Sequence, residues 1–391
     1  MKRIYTRLLI TNDGPPLREV TVSVDRNGRV LELTSGRNDP SLEVEVLVPG
    51  FVNAHCHLEL SNLFGKINSR ENGMAGFIRQ LIALRFADED SVRLEAMQMA
   101  DEMMVKEGIV AVGDISNYIH SAPVKAASEI YYHTFVELPG LQPERAAEIT
   151  AKGIDILMEF TGAYDLPASL SPHAPYSVSL ALYQELFARV NYFDPLTIHM
   201  QESEEEIEFC MKHTGALADL FTASGFDFSK LEPFSPDRPL KKLLPLFPQA
   251  NRMQLVHNTV TTREEIHAAE SLHPQLFWCV CPSANEFITG GVPPLEALYK
   301  EKVRVTIGTD SLASNTGLSV LSELKKIAKH CPEIPFETLM LWSSWNGAVF
   351  LGLDHLCGKI KPGIKPGLLS LSGMNADHPV LHDAVQVQRI C

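Results

Sequence analysis

Apolar residues in this chain follow two spacings. Near the start, short apolar runs are broken by turn residues. They are Leu8-Leu9-Ile10, Val20-Thr21-Val22-Ser23-Val24, Val30-Leu31-Glu32-Leu33 and Val44-Glu45-Val46-Leu47-Val48, with Asp13-Gly14 and Asn27-Gly28 between them. That is a pattern of short strands and tight turns. The far end repeats it in Leu368-Leu369-Ser370-Leu371-Ser372 and Ala384-Val385-Gln386-Val387. Two β-rich ends around a long middle predict one small sheet assembled from both termini.

The middle alternates apolar strand-like runs with helical stretches, the βα signature of a parallel sheet. Eight strands are predicted, ending near His57, Asp114, Glu137, His173, His199, His257, Cys281 and Asp310. Helices are predicted between them, among others over Ser91–Lys106, Ala146–Phe160, Leu180–Val190, Glu204–His213, Arg263–Leu272 and Leu318–His330. Eight such units predict an α/β fold of the (β/α)8 TIM-barrel type, with its active site at the C-terminal strand ends. No internal repeat is evident. One connection, Ser224 to Arg252, is long and carries Pro233, Pro236, Pro239, Pro245 and Pro248. It reads either as a pocket-shaping lid or as a surface excursion, and Leu240–Leu246 within it looks helical.

Composition narrows the function classes. The chain has 391 residues, 45% hydrophobic and 21% charged, as an ordinary globular protein has. Its net charge is −14 and its basic residues are scattered, which argues against nucleic-acid and anionic-membrane partners. The 7 cysteines are odd in number and irregularly spaced, so no disulfide framework is expected. Cys279 and Cys281 lie in an apolar run and read as small buried hydrophobes. No signal-peptide pattern or membrane-length stretch is seen, so a soluble cytoplasmic protein is expected.

The strand ends carry the chemistry. In Pro49-Gly50-Phe51-Val52-Asn53-Ala54-His55-Cys56-His57, the two histidines are two residues apart and share one strand face. Both can reach one ion, at about 2.0–2.1 Å if it is zinc. His199, ending Leu196-Thr197-Ile198, can supply a third ligand, and Asp310, ending the last strand, would complete the shell. Glu202 follows His199 by three residues and reads either as a proton shuttle facing a bound water or as a helix N-terminal acid. His257 could orient or polarise the attacking water. His173, in Ser171-Pro172-His173-Ala174-Pro175-Tyr176-Ser177, could contact substrate or cap a loop.

Together, the Pro49-to-His57 phrase, His199 with Glu202, His257, and Gly308-Thr309-Asp310 resemble the amidohydrolase superfamily. More narrowly they resemble its mononuclear aminohydrolase branch of deaminases and triazine chlorohydrolases. The resemblance covers nearly the whole chain, including a two-ended β-sandwich and the Gly358-Lys359-Ile360-Lys361-Pro362-Gly363 segment. It implies a sandwich over residues 1–49 and 358–391 around a barrel over 50–357. It implies His55, His57, His199 and Asp310 as metal ligands, Glu202 as proton shuttle, and His257 with Asp310 as catalytic groups holding the attacking hydroxide. His173, Glu137 and Asn285 are the implied substrate contacts. Asn285 belongs to Cys281-Pro282-Ser283-Ala284-Asn285, where relatives usually carry serine in the alanine position. Binuclear relatives carry a carboxylated lysine where His173 stands, so one divalent ion is implied. Zinc suits the donors, and iron or nickel also accepts imidazole.

The implied activity is hydrolytic deamination of a purine-type nucleoside or base. His57-Leu58-Glu59-Leu60-Ser61, His199-Met200-Gln201-Glu202-Ser203 and Thr309-Asp310-Ser311-Leu312-Ala313-Ser314-Asn315 resemble the aminodeoxyfutalosine deaminases in particular. Chlorohydrolase or cyclic amidohydrolase chemistry is the rival reading, and a non-catalytic barrel homologue is another. The expected partner is a small-molecule substrate, and a homodimer is compatible with this reading.

Overall fold

A computed structural model describes residues 1–68, 73–228 and 231–391. Its strands are β1 (Lys2–Leu9), β2 (Leu17–Val24), β3 (Val30–Ser35), β4 (Leu42–Pro49), β5 (Phe51–Cys56), β6 (Ile109–Ser116) and β7 (Tyr131–Leu138). They continue with β8 (Ala168–Pro172), β9 (Pro195–Met200), β10 (Arg252–His257), β11 (Leu276–Val280), β12 (Val305–Ile307), β13 (Leu368–Ser372) and β14 (Gln386–Arg389).

The two ends of the chain share a six-stranded sheet ordered β14-β13-β4-β1-β2-β3. Here β13 runs antiparallel to β4, with Leu369 opposite Val48 and Leu371 opposite Val46. The short apolar runs at both termini thus meet in one hydrogen-bonded sheet. Only Gly50 separates β4 from β5, so this sheet is directly joined to the strand that carries His55.

The middle is an α/β fold with two four-stranded parallel sheets, β5-β6-β7-β8 and β12-β11-β10-β9. Every residue of β5, β6 and β9 is buried, as expected for parallel strands covered on both faces. The sheets meet along two edges. At one, the Thr309 and Asp310 N–H groups donate to the His55 carbonyl at 3.0 and 3.1 Å. At the other, the His199 N–H donates to the His173 carbonyl at 2.9 Å. The first edge is clamped by Asn53, whose Nδ2 donates to Thr309 Oγ1 at 2.7 Å and whose Oδ1 accepts from Thr309 N–H at 3.1 Å. It also requires Gly308, because a Cβ there would lie 2.7 Å from His55 Cβ and 2.8 Å from Cys281 Sγ.

The strand ends lie within three residues of their predicted positions. The six predicted helices are present as Asp90–Lys106, Ala146–Ala163, Leu180–Phe187, Glu204–Lys212, Arg263–Leu272 and Val320–His330. Four begin at hydroxyl caps. Ser179, Ser203, Thr262 and Ser319 accept from the N–H groups of Leu182, Glu206, Glu265 and Ser322. In the Ser224-to-Arg252 connection, residues 229 and 230 lie outside the described residues. The remainder includes the helix Pro239–Leu243, whose Leu240 and Leu243 are buried. Cys279 and Cys281 are fully buried, as small hydrophobes are. Among the described residues, no helix is long and apolar enough to cross a membrane.

Candidate active site

Side chains from four strand ends converge on one point. Strand alternation puts His55 and His57 on the same face of β5, and His57 Nε2 lies 3.2 Å from His55 Nε2. His199, at the end of β9, brings its Nε2 to 3.3 Å from His57 Nε2. Asp310 Oδ1 lies 3.3 Å from His57 Nε2 and 3.6 Å from His55 Nε2. The His257 ring, at the end of β10, stands 5.4 Å from that of His199 and 5.7 Å from that of His55. His257 and Asp310 both adopt left-handed backbone, with φ of 74° and 55°. Non-glycine residues held there are strained, and such strain concentrates at functional sites.

The electrostatics match a cation site. Burial pushes His57 and His199 down, which keeps their imidazoles neutral. Burial alone would raise Asp310, but its hydrogen bond to His55 and the nearby His57 and His257 hold it well below the usual carboxylate range. Neutral imidazoles and an ionised carboxylate are the protonation states that metal ligands need. The His55 Nδ1 atom is buried without a hydrogen-bond partner. Ligands about 2.0–2.1 Å from one tetrahedral ion would sit roughly 3.3 Å apart, close to the spacings observed. The residues present therefore fit a single divalent ion. Asp310 is further oriented by Ser314, whose hydroxyl donates to Oδ2.

Glu202 faces this cluster. It precedes Ser203, the cap of helix Glu204–Lys212, so the first-turn acids are Glu204, Glu205 and Glu206. Glu202 is buried, and its Oε2 lies 3.7 Å from His257 Nε2. Its Oε1 has no hydrogen-bond partner. Burial, then the charges of Asp310 and Glu206, push its carboxyl well above the usual range. Its loop is pinned by Glu206, which accepts from the Gln201 and Glu202 N–H groups at 2.9 Å each.

The cluster forms the floor of a cavity of about 450 Å³. Its apolar lining includes Met74, Phe77 and Leu81 of the helix Gly73–Leu84, together with Phe221 and Phe226. Glu205 anchors that helix by accepting from the Met74 and Ala75 N–H groups at 3.1 and 2.9 Å. Its polar lining includes Arg85, Asn117, Glu137 and His173.

This arrangement is found in a chain whose residues 46–387 match the model of the amidohydrolase family. The chain belongs to the amidohydrolase family. Among similar amidohydrolases, a 5-methylthioadenosine/S-adenosylhomocysteine deaminase of Teredinibacter turnerae is 25% identical over 368 residues, covering 88% of this chain and 76% of the relative. An adenosine deaminase of Helicobacter pylori is 28% identical over 343 residues, covering 85% of this chain and 80% of the relative. A crystal structure of Helicobacter pylori aminofutalosine deaminase in complex with methylthio-coformycin shares the fold, with a TM-score of 0.77 and 23% identity over 94% of this chain and 91% of that one.

Within this amidohydrolase, His55, His57, His199, Asp310, His257 and Glu202 come together, with His173 and Glu137 on the cavity wall. Asn285 does not reach that wall. It is fully buried and donates from Nδ2 to His257 Nδ1 at 3.0 Å. That bond leaves the ring proton of a neutral His257 on Nε2, facing Glu202. Burial pushes His257 down to about 3, so the ring is neutral.

Sequence reasoning missed three features. The helix Gly73–Leu84 was not anticipated, although Met74-Ala75-Gly76-Phe77-Ile78 is more apolar than one buried face requires. Asp114 is a strand-end acid whose partner was unread. It pairs with Lys125 at 2.6 Å, both wholly buried, and accepts from the Leu58 N–H beside His57 at 2.8 Å. The third is the group Glu59, Arg85 and Asn117 behind Glu137.

Proposed function

We propose that this chain is a hydrolytic deaminase of an adenosine-like nucleoside, using one divalent ion held by His55, His57, His199 and Asp310. Zinc is the proposed ion, since three imidazoles and one carboxylate suit it. The reading includes closure of the eight parallel strands into a (β/α)8 barrel over residues 50–357. Residues 1–49 and 358–391 form a small sandwich-like domain beside it.

Glu202 carries the reading, because a buried carboxyl with one uncommitted oxygen faces the donor cluster inside the cavity. A bound divalent ion supplies Lewis acidity and lowers the pKa of water towards about 7 in the best cases. Glu202 takes the proton of the water that adds to the amine-bearing ring carbon. It passes that proton to the ring nitrogen, then takes the proton of the added hydroxyl and gives it to the departing amine. A C–O bond forms, the C–N bond breaks, and ammonia leaves. His257, neutral and held by Asn285, presents Nε2–H to the added oxygen. The cavity volume falls in the range of small-molecule sites, and its apolar lining suits a flat heterocycle.

The test is ammonia release from adenosine, methylthioadenosine, S-adenosylhomocysteine, aminodeoxyfutalosine, guanine and cytosine by metal-loaded protein. Turnover of an adenosine-type nucleoside is expected. Silence across the panel, with metal confirmed in the protein, overturns the reading. Glu202→Gln is expected to lose at least about 100-fold in kcat and keep its metal.

A further inference from the structure

The cavity wall holds one carboxylate that the deamination leaves unused. Glu137, in β7, is buried. Asn117 Nδ2 donates to its Oε2 and to its backbone carbonyl, each at 3.1 Å. Arg85 Nη2 donates in turn to Asn117 Oδ1 at 3.1 Å and to Glu59 Oε1 at 3.2 Å. The guanidinium stands 4.9 Å from the Phe86 ring centre and 5.4 Å from that of Tyr118. This series of contacts fixes the Glu137 carboxylate and commits one of its oxygens. The other, Oε1, has no hydrogen bond and is buried. His199 Nδ1 lies 3.4 Å away but already meets the His173 carbonyl at 2.9 Å. A buried acceptor left unmatched costs about 1–3 kcal/mol, so a ligand donor at this oxygen is favoured.

We propose that Glu137 Oε1 accepts a hydroxyl of the substrate's sugar, making Glu137 the residue that selects ribonucleosides over their deoxy counterparts. This rests on the nucleoside reading above. Depth favours the sugar as donor. Glu137 Oε1 lies 3.4 Å from Nδ1 of His199, whose Nε2 belongs to the donor cluster, so a group bound there sits beside the reacting ring and not at the cavity mouth. A free carboxylate oxygen accepts hydrogen bonds, and sugar hydroxyls supply donors.

The experiment measures calorimetric binding of inosine, 2′-deoxyinosine and 3′-deoxyinosine to the metal-loaded wild type, Glu137→Ala and Glu137→Gln. The kcat/KM values of the matching adenosines, metal content and Tm are followed in parallel. Wild type is expected to bind inosine at least about 10-fold more tightly than one of the deoxy forms. Glu137→Ala narrows that ratio to within about 2-fold by weakening inosine alone, and Glu137→Gln reports the same trend if the alanine variant folds poorly. No preference in wild type, or equal weakening of all three ligands, overturns the proposal. Ammonia release without sugar discrimination sinks the Glu137 assignment alone. Discrimination without ammonia release keeps it and removes the deaminase reading.

Discussion

Asn285 Nδ2 sits 3.0 Å from His257 Nδ1, and both side chains are buried. The amide fixes which ring nitrogen of His257 bears the proton and which way the ring points. Partners of this kind change activity by about 10- to 100-fold. Asn285→Ala is therefore expected to lower kcat by that factor with KM within about 2-fold of wild type. Steady-state kinetics decide it, and a large rise in KM at constant kcat would instead make Asn285 a substrate contact.

Ser314 donates to Asp310 Oδ2, which leaves Oδ1 for the point where the imidazoles converge. Ser314→Ala frees the carboxylate to rotate. Metal affinity, measured by competition with a chelator, is expected to fall about 10- to 100-fold. Unchanged affinity would show that the left-handed backbone at Asp310 is enough to aim it.

Lys125 Nζ and Asp114 Oδ2 lie 2.6 Å apart with no exposure. Removing one member of such a pair leaves a buried charge, and Lys125→Met is expected to cost about 3–5 kcal/mol in denaturant unfolding. Asp114→Asn combined with Lys125→Met should recover most of that loss. A Lys125→Met protein as stable as wild type would refute a stabilising role for the pair.

Glu323 gives a pH test away from the donor cluster. It is buried, and it accepts from the Ser283 N–H and from Asn315 Nδ2 at 2.9 Å each. Burial pushes its carboxyl from 4.5 up to about 7, against those hydrogen bonds and Lys326. Between these values the folded chain holds a proton that the unfolded chain has released. Its contribution to stability is full below 4.5 and is lost as pH rises through about 7. Glu323→Gln cannot titrate, so its Tm should fall less than that of wild type between about pH 5 and about pH 8. Identical pH slopes would refute the shift.

Much of the donor cluster was legible because it is written locally. His55 and His57 follow strand alternation, and His199, His257 and Asp310 each close an apolar run. The terminal sheet was equally plain in its alternating runs. Asn285 shows where such reading stops. It lies in the short helix Pro282–Ile288, whose rotation decides between the cavity and the back of His257. Nothing in the local pattern sets that rotation. The Arg85–Asn117–Glu137 contacts likewise join residues brought together only by the packed strands. The Gly73–Leu84 helix lies inside the first strand-to-helix connection, where the βα rhythm gives no warning of an added wall.

The placement of β4 bears on how the protein is made. β4 lies between β1 and β13, and it leads through Gly50 straight into the strand that bears His55. On the ribosome β1 emerges before the histidine-bearing strand, whereas β13 emerges after all eight parallel strands. While β5 to β12 are being made, the edge beside the histidine-bearing segment stays open on one side, and its scaffold is completed only after the last of those parallel strands has emerged.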